Sequence, residues 1–189
     1  SPNHNDSEII ECVDSITRQV SEIGLLVDEF SNFARLPNPE FENLNICSLL
    51  LKCIDDVKNN YNNIDFEISN IDSEFSLNCD KNQITRVFNN IIINSINSIN
   101  ESQEIDSKGS INFTTYLEEN RFIINISDNG SGIKYNKDEL IKPYFTTRKK
   151  TGGTGLGLSI VEKILFDHNA DFEIVNREDG HAGAIASIY

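Results

Sequence analysis

Three stretches of this sequence hold residue types whose spacing could do chemistry. The first is Asn90 and Asn94, four residues apart in a run with helical patterning and therefore on one helix face. Arg86 extends that stripe one turn back, and Asn97 and Glu101 extend it forward. Asparagine is a mediocre helix former. The opposite stripe is Ile84, Val87, Phe88, Ile91, Ile92 and Ile99, which should pack on a sheet. Uncharged oxygen donors such as these amides suit a hydrated Mg²⁺ that phosphates already hold. Taken alone, in an asparagine-rich chain, the pair is more simply a solvated helix face.

The second stretch is Asp128-Asn129-Gly130-Ser131-Gly132, directly after a strand pattern. Its glycines permit tight turns and close approach of a ligand. The acceptor-only carboxylate of Asp128 suits an exocyclic amine such as that of adenine, although by itself the motif fits any turn. The third is Gly152-Gly153-Thr154-Gly155-Leu156-Gly157-Leu158-Ser159, which opens a helix. Glycines there bare the first N–H groups, and the helix dipole favours an anion. The run matches neither GxxxxGK[ST] nor GxGxxG, so the P-loop and Rossmann readings do not apply. Between these two lies Lys142-Pro143-Tyr144-Phe145-Thr146-Thr147-Arg148-Lys149-Lys150. An aromatic pair followed by two hydroxyls and then three cations would make a mobile cover whose basic end meets phosphate. For the cations alone, a solvated loop is the plainer reading.

These groups need elements to position them. Val13, Ile16, Val20, Ile23, Val27, Phe30 and Ala34 recur at alternating spacings of three and four, a heptad seam of the coiled-coil or helix-bundle kind. Asp6 or Ser7 is the expected cap, and the helix should stop near Leu36, because Pro37 and Pro39 follow. Strands are expected at 41–46, 64–68 and 76–79, with a helix at 47–60 and a long one, capped by Asp80, to about residue 100. Residues 111–117 and 121–127 read as a hairpin around Glu118-Glu119-Asn120. A helix at 157–166 and strands at 172–175 and 184–188 complete the chain. Alternating helices and strands with hairpins predict an α/β (α+β) fold, a mixed sheet covered on one face by helices.

Bulk properties narrow the classes. A formal net charge of -14 over 189 residues argues against a nucleic-acid surface, which needs clustered Lys and Arg. It leaves mononucleotide binding open, because backbone N–H groups and a metal can hold one. No apolar run approaches the roughly 18 residues of a membrane helix. Cys12, Cys47, Cys53 and Cys79 form no CxxC pair and read as scattered thiols of a reducing compartment. With Ser1-Pro2 at its start and no Met, the sequence reads as a piece of a longer chain, any membrane anchor lying upstream.

In order and spacing, Asn90…Asn94, Asp128-x-Gly130-x-Gly132, Pro143-Tyr144-Phe145-Thr146-Thr147-Arg148 and Gly153-Thr154-Gly155-Leu156-Gly157-Leu158 resemble the N, G1, F and G2 boxes of sensor histidine kinases. The helix from Ser15 to Pro37 resembles the second dimerisation helix of NtrY-type nitrogen-regulation sensors. The resemblance implies a Bergerat-type two-layer sandwich at 41–189, a linker at 37–40, and an incomplete dimerisation and phosphotransfer domain at 1–36. It also implies ATP and Mg²⁺ as cofactors, with Asn94 as metal ligand and Asn90 beside it on metal or phosphate. Asp128 would read the adenine amine while Gly130 and Gly132 let the backbone approach the base. Phe145, Thr146, Thr147 and Arg148 would form the lid, with Arg148 near the phosphates. Gly153, Thr154, Gly155, Leu156, Gly157 and Leu158 would shape the phosphate end.

The implied reaction moves the γ-phosphate of ATP to a histidine and then to an aspartate of a response-regulator receiver domain. The implied setting is a cytoplasmic domain of an inner-membrane sensor that forms a homodimer through its N-terminal helix. None of His4, His168 and His181 is followed at once by an acidic residue, as the family acceptor is, so each reads as a surface or turn residue and self-labelling of this chain is not expected. Two departures stand out. Asn97 replaces a larger basic or aromatic group, and the last glycine box is reduced to Gly180-His181-Ala182-Gly183-Ala184, to which no role is carried over. The competing readings are another Bergerat-fold ATPase module, and a degenerate nucleotide-binding or dimerisation module without catalysis. The seam predicts self-association through residues 13–34. Light scattering should report a smaller species for Val20→Asp than for the wild type.

Overall fold

The structure is a computed structural model that describes residues 2–34, 36–71, 75–102, 108–148, 153–178 and 180–189, without the side chains of 2–7, 22, 25–26, 28–30 and 32–34. Lys149, Lys150 and Gly152, and the side chains of His4, Asp6, Ser7, Phe30 and Ala34, lie outside that description. The order is α1 (Pro2–Ala34), β1 (Glu42–Asn45), α2 (Ile46–Lys58), β2 (Ile64–Ile68), β3 (Ser76–Cys79), α3 (Lys81–Glu101), β4 (Gly109–Glu118), β5 (Arg121–Asp128), α4 (Lys137–Leu140), α5 (Gly157–Asp167), β6 (Phe172–Asn176) and β7 (Ala184–Ile188). Helix α1 begins at Pro2, so Asp6 and Ser7 lie inside it and do not cap it. Its seam residues Val13, Ile16, Val20, Ile23 and Val27 are 54–63% exposed.

The main sheet has five strands in the order β2-β4-β5-β7-β6, and only the β2–β4 pair is parallel. Strands β4 and β5 meet at Glu119 and Asn120, both with positive φ, the two-residue turn whose twist matches a hairpin. Strand alternation sends Ile111 and Phe113 of β4, Ile124 and Ile126 of β5, and Ala186 and Ile188 of β7 into the core. The pairs Phe113↔Ile126 and Ile126↔Ala186 carry one apolar row across three strands. Asp128 is in phase with Ile124 and Ile126, so the same alternation drives a carboxylate into the buried layer.

Helices α2, α3 and α5 supply the other layer. Val87, Phe88, Ile91, Ile92 and Ile96 of α3 are at most 2% exposed, and burying each such side chain is worth roughly 1.5–3 kcal/mol. Ile160, Val161, Ile164 and Leu165 do the same for α5. Strands β1 and β3 form a separate antiparallel pair beside α2.

One cluster ties the layers to the segment after α1. Asp80 caps α3, accepting from the Gln83 N–H through Oδ1 at 2.9 Å and from the Glu40 N–H through Oδ2 at 2.8 Å. Gln83 Nε2 donates to the Pro37 carbonyl at 2.9 Å. The Asp80 N–H donates to His168 Nε2 at 3.0 Å, which leaves Nδ1 to donate to the Ile164 carbonyl at 2.7 Å. His168 is therefore a tie between α3 and α5, not a surface turn residue. Burial alone would raise the Asp80 carboxyl, but the N–H groups of Gln83, Glu40 and Asn82 outweigh it and hold the carboxyl below its usual range. A depressed pKa means stability present above the ordinary Asp value and lost as pH falls through the depressed one. Asp80→Ala should cost about 1–2 kcal/mol at neutral pH. Urea denaturation should show the variant and the wild type converging in acid.

Candidate functional site

Between α3 and the first turn of α5 lies a cleft of about 820 Å³. Asn90, Asn94, Ser95, Ser98 and Glu101 line it from α3, Asp128 from the end of β5, and Gly132, Ile133 and Tyr135 from the following loop. Phe145, Thr146, Thr147, Arg148, Gly153, Thr154 and Gly155 line it from the segment before α5, and Gly157 and Leu158 from the helix itself. The three stretches singled out by residue type thus share one cleft. Gly130, Leu156 and Asn97 are not among its walls. Gly130 packs instead on α3, where a Cβ would fall 2.5 Å from the Ser98 carbonyl carbon. Leu156, the residue that precedes α5, is wholly buried in the core.

Asp128 is the centre of the arrangement and is only 4% exposed. Burial pushes its carboxyl above the usual range, opposed by the Gly130 N–H, the Ser95 hydroxyl, the Ala184 N–H and the charge of Arg177. The Gly130 N–H donates to Oδ1 at 2.9 Å and the Ala184 N–H at 3.4 Å. A carboxylate offers about four acceptor sites, so capacity remains on the cleft side.

On α3, Asn90 Nδ2 donates to the Arg86 carbonyl at 2.9 Å, the back-bond of a polar residue to the preceding turn. Its Oδ1 then points at the start of α5, 3.0 Å from where a Cβ on Gly157 would stand. Arg148 does not reach freely into the cleft. Its Nε pairs with Glu101 Oε1 at 2.6 Å, and Nη2 donates to the Asn94 carbonyl at 3.4 Å. Nor is the aromatic pair loose over residues 141–148. The Tyr144 N–H donates to the Gly155 carbonyl at 3.0 Å, and Phe145 meets Tyr135 edge-on at 4.9 Å between ring centres.

Several contributors had little or no sequence signal. Helix α4 was missed, although Asn136 and Glu139 form a capping box whose N-x-x-E spacing was available to read. Lys137 of α4 bonds Asp171 at 2.6 Å and Glu162 at 3.3 Å and stacks on Phe172, which fixes this side of the cleft. The Asn129 side chain accepts from the Ser110 N–H at 2.8 Å and donates to the Lys108 carbonyl at 3.0 Å. In the reduced glycine box Gly183 has φ +125°, and a Cβ there would stand 1.9 Å from the Asp128 carbonyl oxygen.

A mixed sheet under one helix layer, with a buried sheet carboxylate, an amide-bearing helix and a glycine-opened helix around one cleft, defines a Bergerat-type sandwich. Residues 79–188 match the family of histidine kinase-, DNA gyrase B- and HSP90-like ATPases, and the chain belongs to that family. Within that family the chain is similar to NtrY-type proteins. It is 31% identical over 183 residues to nitrogen regulation protein NtrY of Azorhizobium caulinodans, covering 95% of this chain and 23% of that one. The chain thus spans about a quarter of the length of such curated relatives. The solved catalytic domain of histidine kinase ThkA is 25% identical, with a TM-score of 0.66 over 79% of this chain and 93% of that one. In fold the chain also matches ThkA solved in complex with the response regulator protein TrrA, at a TM-score of 0.73 and 22% identity, covering 100% of this chain and 51% of that one.

The glycines give a sharp comparison. Gly180 has φ +81° in open space, so Gly180→Ala should cost only backbone strain, about 1–3 kcal/mol. Gly183→Ala must also displace the end of β5 and should lower the thermal midpoint further. Melting curves of the two variants check this order.

Proposed function

We propose that residues 41–189 are the ATP-binding catalytic domain of a sensor histidine kinase, residues 37–40 its linker, and residues 1–36 a helix of its dimerisation and phosphotransfer domain. The observation that carries this reading is that Asp128, Asn90, Asn94 and the glycine-opened start of α5 all face one cleft. In this proposal Asp128 accepts from the adenine amine, and the cleft walls at Gly132, Ile133 and Phe145 enclose the base. The phosphates lie toward Gly153, Thr154, Gly155 and the N–H groups of Gly157 and Leu158, where the helix dipole favours negative charge.

Asn94 is the proposed Mg²⁺ ligand, with the Asn90 carbonyl oxygen beside it. The fit is chemical: both are neutral oxygen donors lining the phosphate side of the cleft, the donor type Mg²⁺ prefers when phosphates supply further ligands. When bound, Mg²⁺ neutralises charge on the transferring phosphoryl group. The chain's own contribution is positioning: holding the nucleotide by its base and aligning its phosphates. Thr146, Thr147 and Arg148 stand at the mouth, with Arg148 held toward α3 by Glu101.

The γ-phosphate is proposed to pass to a histidine and then to an aspartate of a response-regulator receiver domain. That partner class is suggested by the ThkA–TrrA complex. His168, with both ring nitrogens in hydrogen bonds, is committed to the fold. The acceptor is therefore proposed to be a histidine outside this sequence. The exposed seam of α1 supports a homodimer through that helix. Among the described residues no helix is long and apolar enough to cross a membrane. We propose a cytoplasmic placement in an inner-membrane sensor.

Calorimetric titration with Mg-ATP tests the reading. Asn94→Ala should weaken Mg-dependent binding at least tenfold and Asn97→Ala, whose amide is not a cleft wall, less than twofold. Asp128→Asn should lose at least tenfold in affinity, about 1.4 kcal/mol or more, without losing stability near neutral pH, because it removes a buried charge. Equal effects of the two helix variants would defeat the assignment of the helix face.

A further inference from the structure

The loop after Asp128 has to hold its shape if the carboxylate is to meet a base in one orientation. Its near end is fixed by β5 and by the Ser131 N–H, which donates to the Ser98 carbonyl at 3.2 Å. Its far end, at Gly132 and Ile133, leaves the sheet and has no strand partner. There Asn176, the last residue of β6, supplies one. Its Oδ1 accepts from the Ile133 N–H at 2.7 Å and its Nδ2 donates to the Ile133 carbonyl at 2.9 Å. A single primary amide thus satisfies both main-chain groups of one residue, as a paired strand would. The contact is close: a Cβ on Gly132 would stand 2.6 Å from Asn176 Oδ1, and Gly132 itself has φ +70°.

The base of this clamp is tied to the same frame as the carboxylate. The Arg177 N–H donates to the Gly183 carbonyl at 3.1 Å, and Arg177 Nη1 donates to the Asp128 carbonyl at 3.5 Å. Asn176 is not a wall of the cleft, whereas Gly132 and Ile133 are. It therefore acts through them.

We infer that Asn176 is a positioning residue for base recognition: its side-chain amide clamps Ile133, so that the loop presents an adenine edge-on to Asp128. This rests on the nucleotide reading above. A slack loop would let the base tilt, and the hydrogen bond from its amine to Asp128 would contribute less. Aspartate at 176 has the shape of asparagine but no N–H to give the Ile133 carbonyl, so it should fail as alanine does. Serine, with one short hydroxyl, should restore little.

The test is calorimetry with Mg-ATP and with the Mg complex of purine riboside triphosphate, which lacks the amine. The wild type should prefer ATP by about tenfold or more, the range of one hydrogen bond to a charged group. In Asn176→Ala and Asn176→Asp that preference should fall to about threefold or less, with hydrogen exchange at the Ile133 amide at least tenfold faster. A merely structural role would weaken both nucleotides alike and leave the ratio intact, which would overturn the inference. Should Asn176→Ala fail to fold, the isosteric Asn176→Asp decides by the same ratio. A wild type that binds neither nucleotide would remove the proposed function itself. In that event a slow Ile133 amide that stays slow in the variants would separately remove the clamp.

Discussion

The architecture turns on one ionisable group in an apolar layer. Strand alternation carries Asp128 to the face that Ile124 and Ile126 occupy, where an unpartnered carboxylate would be costly. The surroundings are arranged to offset that cost. Gly130 bends the chain so that its own N–H returns to Oδ1, and Gly183 lets β7 come close enough for the Ala184 N–H to do the same. Ser95 joins from α3 and the Arg177 charge stands nearby. These contributions reduce the upward push of burial without cancelling it, so the carboxyl stays above its usual range. A group held in that state binds best to something that brings a donor into the cleft.

That arrangement explains why glycines which look alike in sequence do different work. Gly183 and Gly130 are spacers, required because backbone of another element occupies the place of a Cβ. Gly132 and Gly155 adopt left-handed conformations that re-aim the chain at the cleft walls. Gly157 keeps the first turn of α5 clear for the Asn90 oxygen that faces it. Substituting a small side chain at any of the first three would move the Asp128 loop before it touched a ligand.

Much of this was legible in residue order because local periodicity and the buried pattern agreed. The isoleucine stripe of α3 fixed which face met the sheet, and so which face Asn90 and Asn94 presented. Asp80 at the start of that stripe announced a cap, which it is. What could not be read was long-range pairing. Nothing near Asn176 in the chain points to Ile133, and His168 looks like a turn residue until α3 and α5 are brought together. The register of β7 beside β5 gives Gly183 its purpose, and register between distant strands leaves no local mark. Leu156 misled for a related reason: a leucine between glycines in a phosphate-loop pattern looks like part of the loop, yet it is the anchor that lets the glycines be loop.

The high asparagine content of the chain acquires a physical sense in the structure. Asn45 and Asn136 cap helices, Asn129 and Asn176 hold the two ends of the Asp128 loop, and Asn90 bonds back along α3. The caps and the loop ties use the amide oxygen to accept, and Asn90, Asn129 and Asn176 use the N–H₂ to donate. Aspartate could perform only the accepting half, and it would add charge to a chain already at -14. Along the cleft the distinction is sharper still. Carboxylates at 90 and 94 would repel a polyanion unless a cation always stood between them, whereas amides present oxygen without that repulsion. Among the described residues the buried carboxylate of the cleft is Asp128, which is met by Ser95 of α3, more than a turn beyond Asn90. Neutral donors at one end and a single buried acceptor at the other give the cleft a polarity that suits a ligand with an anionic end and an amine-bearing end.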